Sequence, residues 1–206
     1  MTRLTSSDIE TVAAGLDEYD AELHKALGCG LRALALEAVG LTEGHDAIKV
    51  ISSTQVAVIP VGSGLGEING FAQTVSAIVR HIGMRSFVSH QSDVAGVAES
   101  FERGARLIFM SDDDRFIALC PERRFFVDNT SATALGFVTG LSLMTPTDGD
   151  FSVLVLGCGP LGCAAAGYLA RMGCRVGVCD RQAQFSRKAA AVYNNPEGIH
   201  PVPVDV

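Results

Sequence analysis

Basic residues are scarce in this sequence, and several familiar local signals are missing. There are 16 Lys and Arg against 23 Asp and Glu, and the net charge of −7 disfavours a nucleic-acid surface. Apolar runs long enough to span a membrane are lacking, and the first residues do not form a signal peptide. We therefore predict a cytoplasmic protein that binds neither nucleic acid nor membrane.

Metal-binding and redox spacings are also lacking. The sequence contains no Cys-x-x-Cys pair and no Cys/His pattern typical of zinc. Hydrophobic residues make up 48% of the chain and charged residues 19%, which favours a large core over disorder. The cysteines are interpreted as small buried residues in a reducing compartment, and no metal site is predicted. They are Cys29, Cys120, Cys158, Cys163, Cys174 and Cys179.

What the sequence does contain is a glycine-rich turn between an apolar strand and a helix. Residues 153–156 predict a buried strand, and a Gly-x-Gly-x-x-Gly pattern follows. In a dinucleotide site, Gly157 permits the tight turn, Gly159 lets the pyrophosphate approach the backbone, and Gly162 lets the helix pack closely. The predicted cofactor-binding residues of this turn are Gly157, Cys158, Gly159, Pro160, Leu161 and Gly162.

A second predicted strand, 174–179, ends at an acidic residue. Asp180 lies 18 residues after Gly162, where a carboxylate accepts hydrogen bonds from a ribose diol and repels a 2′-phosphate. NAD is therefore the predicted cofactor. Arg181 argues in the other direction, because an arginine there can bind a 2′-phosphate. Both residues belong to the predicted cofactor site.

Two other functions stay open at this point. Leu156-Gly157-Cys158-Gly159-Pro160 resembles the first motif of S-adenosylmethionine-dependent methyltransferases. Those enzymes usually carry an acidic residue just before the first glycine, where this chain has Val155 and Leu156. A methyltransferase is therefore the second hypothesis. A non-catalytic module for nucleotide binding or dimerisation is the third.

The region before this turn predicts an α/β layer with mostly parallel strands. Thr5 and Asp8 begin a helix of the capping type, and two helices fill the first 40 residues as a hairpin that breaks near Gly28. Strands and helices then alternate, and a hairpin precedes a long helix over 130–144. The predicted strands are 55–61, 86–89, 106–110, 115–119 and 124–127, and the predicted helices between them are 68–82 and 93–103.

Residues 145–150, rich in Pro, Thr, Asp and Gly, predict a linker between two domains. Residues 1–145 are the predicted substrate and dimerisation domain, and 151–206 are the predicted first half of a Rossmann NAD-binding domain. A helix over 182–193 and a third strand over 202–206 complete the prediction. Because a complete dinucleotide fold needs about twice as much sequence after residue 150, we expect a fragment that is catalytically inactive or nearly so.

Two stretches are distinctive beyond the glycine turn. They are Ser92-Asp93-Val94-Ala95-Gly96 and Asp112-Asp113-Asp114-Arg115-Phe116-Ile117-Ala118. With these, and with Leu4-Thr5 near the start, the whole chain resembles the dehydrogenase family of pyrrolysine biosynthesis. The resemblance implies a homodimer that uses NAD to oxidise the terminal amine carbon of 3-methyl-D-ornithyl-N6-lysine. The imine then releases ammonia, and the aldehyde closes on the α-amine to form the pyrroline ring.

The candidate substrate-binding residues follow from this resemblance and from their places at strand ends. A substrate with several ammonium groups calls for carboxylates, hydroxyls and amides in its pocket. Asp112–Asp114 instead suit a solvated turn, and Asn129 suits a helix cap. Either Ser92 or Asp93 is predicted to cap the helix 93–103, so these alternatives stay open. No catalytic base is identified. The candidates are Leu4, Ser53, Ser63, Asp93, Asp112, Asp113, Asp114 and Asn129.

A second glycine-rich segment, residues 62–66, follows the first predicted strand and precedes a helix. Because the next strand does not end in an acidic residue, the segment is not predicted to bind a dinucleotide. It is either an anion-binding loop for the substrate carboxylate or a close-packed turn.

Overall fold

The structure, a computed structural model, describes residues 4–145, 151–192 and 199–201. Its internal contacts divide the chain into two units, 1–129 and 130–206. The predicted linker, apart from Thr145, lies outside the described residues. The division into units lies before the long helix, whereas the predicted boundary, the linker, lies after it. The predicted domain boundary therefore stays a prediction.

Short helices form the start of the first unit. As predicted, Thr5 begins the first helix, and its backbone N–H donates to the Asp8 carboxylate at 2.6 Å. The predicted hairpin is wrong in detail, because the first helix ends at Ile9 and the chain turns before the next one begins. A fourth helix before the sheet was not predicted. The helices are α1 (Ser6–Ile9), α2 (Leu16–Leu27), α3 (Leu31–Glu37) and α4 (Ala47–Ser53).

A five-stranded sheet follows, with the order β2-β1-β3-β4-β5. β1 pairs in parallel with β2 and β3, whereas the pairs β3–β4 and β4–β5 are antiparallel. The prediction of mostly parallel strands holds for half of the sheet, since the short turns after β3 and β4 cannot carry the long crossover that parallel pairing needs. The strands are β1 (Gln55–Ile59), β2 (Arg85–Val88), β3 (Leu107–Ser111), β4 (Phe116–Cys120) and β5 (Phe125–Asp128).

Two helices provide the parallel crossovers and bury both faces of β1. They are α5 (Phe71–His81) and α6 (Asp93–Glu102). Val56 and Val58 pack with Val75 of α5, while the alternate residues of β1 face a second cluster. The residues of that second cluster are Ala57, Ile59, Phe87, Ala105 and Ile108. Burial on both faces holds the carboxyl end of β1 in place.

The second unit is a three-stranded parallel sheet, in the order β6-β7-β8, with helices packed on it. Val138, Leu169 and Val176 lie in its core. The third strand lies just before the one predicted over 202–206, residues that are outside the described part of the chain. The elements are α7 (Asn129–Met144), β6 (Ser152–Leu156), α8 (Pro160–Arg171), β7 (Arg175–Cys179), α9 (Ala183–Val192) and β8 (Ile199–Pro201). The predicted α/β class is confirmed.

Among the described residues, no helix is long and apolar enough to cross a membrane.

Replacing Gly136 by Ala is expected to stabilise the protein. Gly136 lies in the interior of α7, and a Cβ built there has no atom within 4 Å. Because glycine loses more backbone entropy than alanine in a helix, the free energy of unfolding should rise by about 0.5–1 kcal/mol. Denaturant unfolding measures the change. A lower stability would show that the space around this position is filled in solution.

Candidate substrate and cofactor sites

The turn 157–162 joins β6 to α8 in the conformation that the glycine pattern predicts. Gly157 has a φ of +97°, which favours glycine, and its N–H donates to the Cys179 carbonyl at 2.7 Å. A Cβ at Gly162 would collide with the Gly157 carbonyl oxygen, whereas a Cβ at Gly159 has no atom within 4 Å. The third glycine thus serves packing, and the second leaves open space beside the backbone.

Asp180 fastens this turn to the end of β7. Its Oδ2 accepts the Cys158 N–H and its Oδ1 accepts the Gln182 N–H, both at 2.9 Å. These two hydrogen bonds lower the pKa of the Asp180 carboxyl below its ordinary value. Sequence reasoning assigned this residue to a ribose and missed its bond to the turn, because that bond spans 22 residues.

An open cleft of about 650 Å³ lies beside the turn. Five predicted cofactor residues line it: Gly157, Cys158, Gly159, Asp180 and Arg181. The other three begin α8, where Pro160 lines a smaller neighbouring cavity with Lys188. Phe185 lines both cavities and was not predicted. It lies on α9, and no local pattern marks it as part of the site.

Cys158 is buried inside the turn, with 9% of its surface exposed. Burial raises the pKa of its thiol above the ordinary value. The thiol form therefore dominates near neutral pH, which agrees with a packing role rather than with a reactive thiolate.

A second cavity, of about 230 Å³, lies in the first unit at the carboxyl ends of β1 and β3. Five of the eight predicted substrate residues line it: Leu4, Ser63, Asp112, Asp113 and Asn129. Its apolar wall, which sequence reasoning did not predict, includes Ile68, Phe71, Phe109 and Phe116. Phe116 packs edge-on against Phe71, with ring centroids 5.4 Å apart.

The charge of this second cavity has one sign. Among the described residues that line it, Glu67, Asp112 and Asp113 are the ionisable ones, and none is basic. A bound ammonium group would therefore be favoured over a carboxylate. We call it the acidic cavity.

Asp112 also shapes the turn between β3 and β4. Its Oδ1 accepts the N–H groups of Asp114 and Arg115 at 2.9 and 2.7 Å. These backbone hydrogen bonds, that of Arg115 first, lower the pKa of the Asp112 carboxyl, which is thus ionised near neutral pH. Asp114 is not among the residues that line the cavity.

Asp93 lies beside the loop 62–66 rather than capping its own helix. Ser92 is at the N-cap position, and the Asp93 carboxylate accepts the Gly62 N–H at 3.1 Å. Of the two residues predicted to cap this helix, Ser92 is therefore confirmed and Asp93 is wrong, because the Asp93 carboxylate binds the neighbouring loop. On the same loop, the Leu65 N–H donates to Asp113 at 2.8 Å. An anion there would meet two carboxylates, so the structure disfavours the anion-binding loop. The loop is not close-packed either, because residues 62–65 are exposed.

The structure does not bring Ser53 to the acidic cavity. Ser53 is the last residue of α4, and its hydroxyl donates to the Val50 carbonyl at 3.0 Å. It precedes β1, whereas the cavity lies where β1 ends. Asn129 begins α7 and lines the cavity, and its role stays a prediction.

A family match covers more than half of the chain. The model of "Pyrrolysine biosynthesis protein PylD, N-terminal domain" matches residues 8–124. The chain belongs to the PylD family. The match includes both distinctive stretches on which the sequence resemblance was based, and it contains most of the residues that line the acidic cavity.

Two curated relatives of this PylD-family chain are pyrrolysine synthases of Methanosarcina. The protein of M. acetivorans is 29% identical over 176 residues and that of M. barkeri 28%. Each match covers 85% of this chain and 64% of the relative, so the chain spans less than two thirds of their length. A solved shikimate 5-dehydrogenase from Thermus thermophilus is 17% identical, with a TM-score of 0.43 over 73% of this chain and 63% of that one. A likeness of this level carries no information on function.

In the PylD-family chain, Glu99 holds the connection from β2 to α6. Its side chain, 13% exposed, accepts hydrogen bonds from the Ser89 hydroxyl at 2.7 Å and from the backbone N–H groups of His90 and Gln91. Arg103 donates to it at 2.8 Å. The Ser89 bond, followed by those of Arg103 and His90, holds the pKa of Glu99 far below its ordinary value of 4.5.

Replacing Glu99 by Gln is expected to make the melting temperature depend less on pH. A carboxyl whose pKa is lowered by folding contributes stability above its unfolded pKa and loses it as the pH falls toward the folded value. The variant should melt several degrees lower at pH 7, and the difference should shrink below pH 4.5. Thermal melts from about pH 7 to about pH 3 measure this. Glu102→Gln, on the exposed end of α6, is the control, and parallel curves for wild type and Glu99→Gln would contradict the prediction.

Proposed function

We propose that this chain is the substrate-binding and cofactor-binding part of an NAD-dependent dehydrogenase of pyrrolysine biosynthesis. The reaction is the oxidation of the terminal amine carbon of 3-methyl-D-ornithyl-N6-lysine, with release of ammonia and closure of the ring. One observation carries the proposal: the match to the PylD family covers the unit that holds the acidic cavity. A homodimer and a cytoplasmic location, which the resemblance implies, belong to the same proposal.

The acidic cavity suits the proposed substrate in charge and in its apolar lining. Asp112 and Asp113 offer carboxylates to an ammonium group, and Ser63 adds a hydroxyl. The phenyl rings of Phe71, Phe109 and Phe116 provide an apolar wall for the methylated alkyl chain. An amine carbon loses hydride when its nitrogen is neutral. A carboxylate that binds one of the other ammonium groups of the substrate can therefore orient it while the reacting amine stays neutral.

The residues around the turn 157–162 suit NAD. A Cβ at Gly159 has no atom within 4 Å, which leaves space for a pyrophosphate beside the backbone. Gly159 is also the N-cap of α8, and the start of a helix favours an anion. Asp180 follows the last residue of β7, and we expect its carboxylate to accept a hydrogen bond from a ribose hydroxyl. When bound, NAD supplies the acceptor for the hydride of the substrate.

Titration calorimetry with the 206-residue chain tests the proposal. We expect heat of binding from NAD and from synthetic 3-methyl-D-ornithyl-N6-lysine, called the dipeptide below, and none from S-adenosylmethionine. Binding of S-adenosylmethionine instead would favour the methyltransferase hypothesis. Binding of NAD without the dipeptide would leave a nucleotide-binding module and would overturn the substrate assignment.

Two substitutions at Asp180 separate the possible cofactors. Asp180→Ala removes both the ribose acceptor and the bond to Cys158, so NAD affinity should fall about tenfold or more. Asp180→Asn keeps one oxygen, which can accept the Cys158 N–H, but it loses the acceptor for the Gln182 N–H and the charge that repels a 2′-phosphate. It should bind NAD better than Asp180→Ala does, and NADP better than the wild type does. Equal affinity of the wild type for NAD and NADP would show that the interpretation of Asp180 is wrong.

A further inference from the structure

The loop 62–66 forms one wall of the acidic cavity. Ser63, Leu65 and Gly66 line the cavity, and Glu67 follows directly. The loop contains no helix or strand, and one hydrogen bond inside it joins the Gly66 N–H to the Ser63 carbonyl at 3.3 Å. Two further N–H groups of the loop donate to carboxylates on other connections of the same sheet edge.

Asp93 binds the start of the loop. Its N–H donates to the Pro60 carbonyl at 3.0 Å, and its carboxylate accepts the Gly62 N–H at 3.1 Å. Asp93 makes both bonds with a φ of +55°, which is rare for a residue with a side chain. Such a conformation costs free energy and persists where the surrounding structure requires it.

Asp113 binds the end of the loop. Its carboxylate accepts the Leu65 N–H at 2.8 Å and fills the space beside Gly64, where a Cβ would collide with it. Gly64 has a φ of +68°, so glycine is favoured there for its backbone as well. The loop is therefore shaped around this carboxylate.

We propose that Asp93 and Asp113 are positioning residues that hold the loop 62–66 in place and so form the acidic cavity before a ligand binds. Asp93 acts through the loop, because it is not among the residues that line the cavity. Asp113 both holds the loop and lines the cavity. A site formed in advance binds more tightly, because its ligand does not have to order the loop. The inference rests on the proposed function for the identity of the ligand alone.

Variants at Asp93 separate the hydrogen bond from strain and from charge. Asp93→Gly adopts a positive φ without strain but lacks the carboxylate. Asp93→Asn tolerates the same conformation and keeps an oxygen for the Gly62 N–H, while it loses the charge. If the bond to the loop is what matters, asparagine restores the function that glycine lacks.

Hydrogen exchange followed by mass spectrometry, on the full 206-residue chain, tests the positioning without any ligand. Asp93→Gly and Asp113→Ala should each raise the exchange rate of amides in 62–66 about tenfold, while Asp93→Asn stays within about twofold of the wild type. Unchanged exchange in the first two variants, or equal exchange in the Asn and Gly variants, would overturn the proposal.

Calorimetry with 3-methyl-D-ornithyl-N6-lysine then connects the loop to binding. Asp93→Gly should weaken the affinity about tenfold, and Asp93→Asn should restore it to within about twofold, with Glu102→Gln as a surface control. Full affinity in Asp93→Gly would overturn the role in binding. Absence of binding to the wild-type chain would overturn the proposed function instead, and the exchange experiment would still decide whether the carboxylates hold the loop.

Discussion

Replacing Gly159 by Ala is expected to remove most NAD binding while the protein stays folded. Gly159 has an extended backbone, with φ −71° and ψ −178°, which alanine adopts freely. The new Cβ meets no atom within 4 Å, so the free energy of unfolding should change by less than about 0.5 kcal/mol. The methyl group would, however, occupy the space through which a pyrophosphate approaches the backbone, and NAD affinity should fall more than about tenfold.

Gly162→Ala should fail in a different way. Its Cβ would collide with the carbonyl oxygen of Gly157, a backbone atom that cannot rotate aside. The turn must therefore move, at a cost of about 1–3 kcal/mol in unfolding free energy, and NAD binding is lost with it. Denaturant unfolding and calorimetry on both variants measure the two effects.

Gly136→Ala, in the same unit, is the control for adding a methyl group where space is open. If Gly159→Ala bound NAD with full affinity, the cofactor would not approach the turn at this point. If Gly162→Ala were as stable as the wild type, the close contact between α8 and the turn would not limit packing.

Replacing Asp112 or Asp113 by Asn is expected to weaken dipeptide binding. Among substitutions in the first unit, these two should cause the largest loss of dipeptide affinity. Each change removes one of the three carboxylates that line the acidic cavity in the described part of the chain. Charge-assisted hydrogen bonds to ammonium groups are about twice as strong as neutral ones, so a loss of about tenfold or more is expected for each variant. Asparagine keeps an oxygen that can accept the N–H groups bound by each aspartate, which limits the effect on folding.

NAD affinity should stay unchanged in these variants, because the predicted cofactor residues lie in the second unit. Asp114→Asn shows whether the loss of dipeptide affinity depends on the position of the carboxylate or on total charge. It carries the same change of charge on the neighbouring residue, but Asp114 is not among the residues that line the cavity. Equal losses in all three variants would point to long-range charge, and normal binding in all three would make the cluster a solvated turn.

The sequence by itself determined the local elements of this protein. Alternating or continuous apolar residues distinguish strands from helices, and the strand Gln55–Ile59 and the helix Phe71–His81 lie where periodicity places them. The turn at Gly157 was also predictable, because its conformation depends on the backbone freedom of a single glycine. The helix start at Thr5 depends on residues three positions apart. In each case the interacting groups are close neighbours along the chain.

The tertiary structure decided which residues meet. Periodicity gives no information on the helix Ala47–Ser53, on the antiparallel pairing of Leu107–Ser111 with Phe116–Cys120, or on the separation of Ser53 from the cavity. The bonds of Asp93 to Gly62 and of Asp113 to Leu65 span 31 and 48 residues. A carboxylate at the end of a strand can cap a helix, face solvent or bind a neighbouring loop. Which of these it does depends on the backbone N–H groups that the folded sheet edge brings within hydrogen-bond distance.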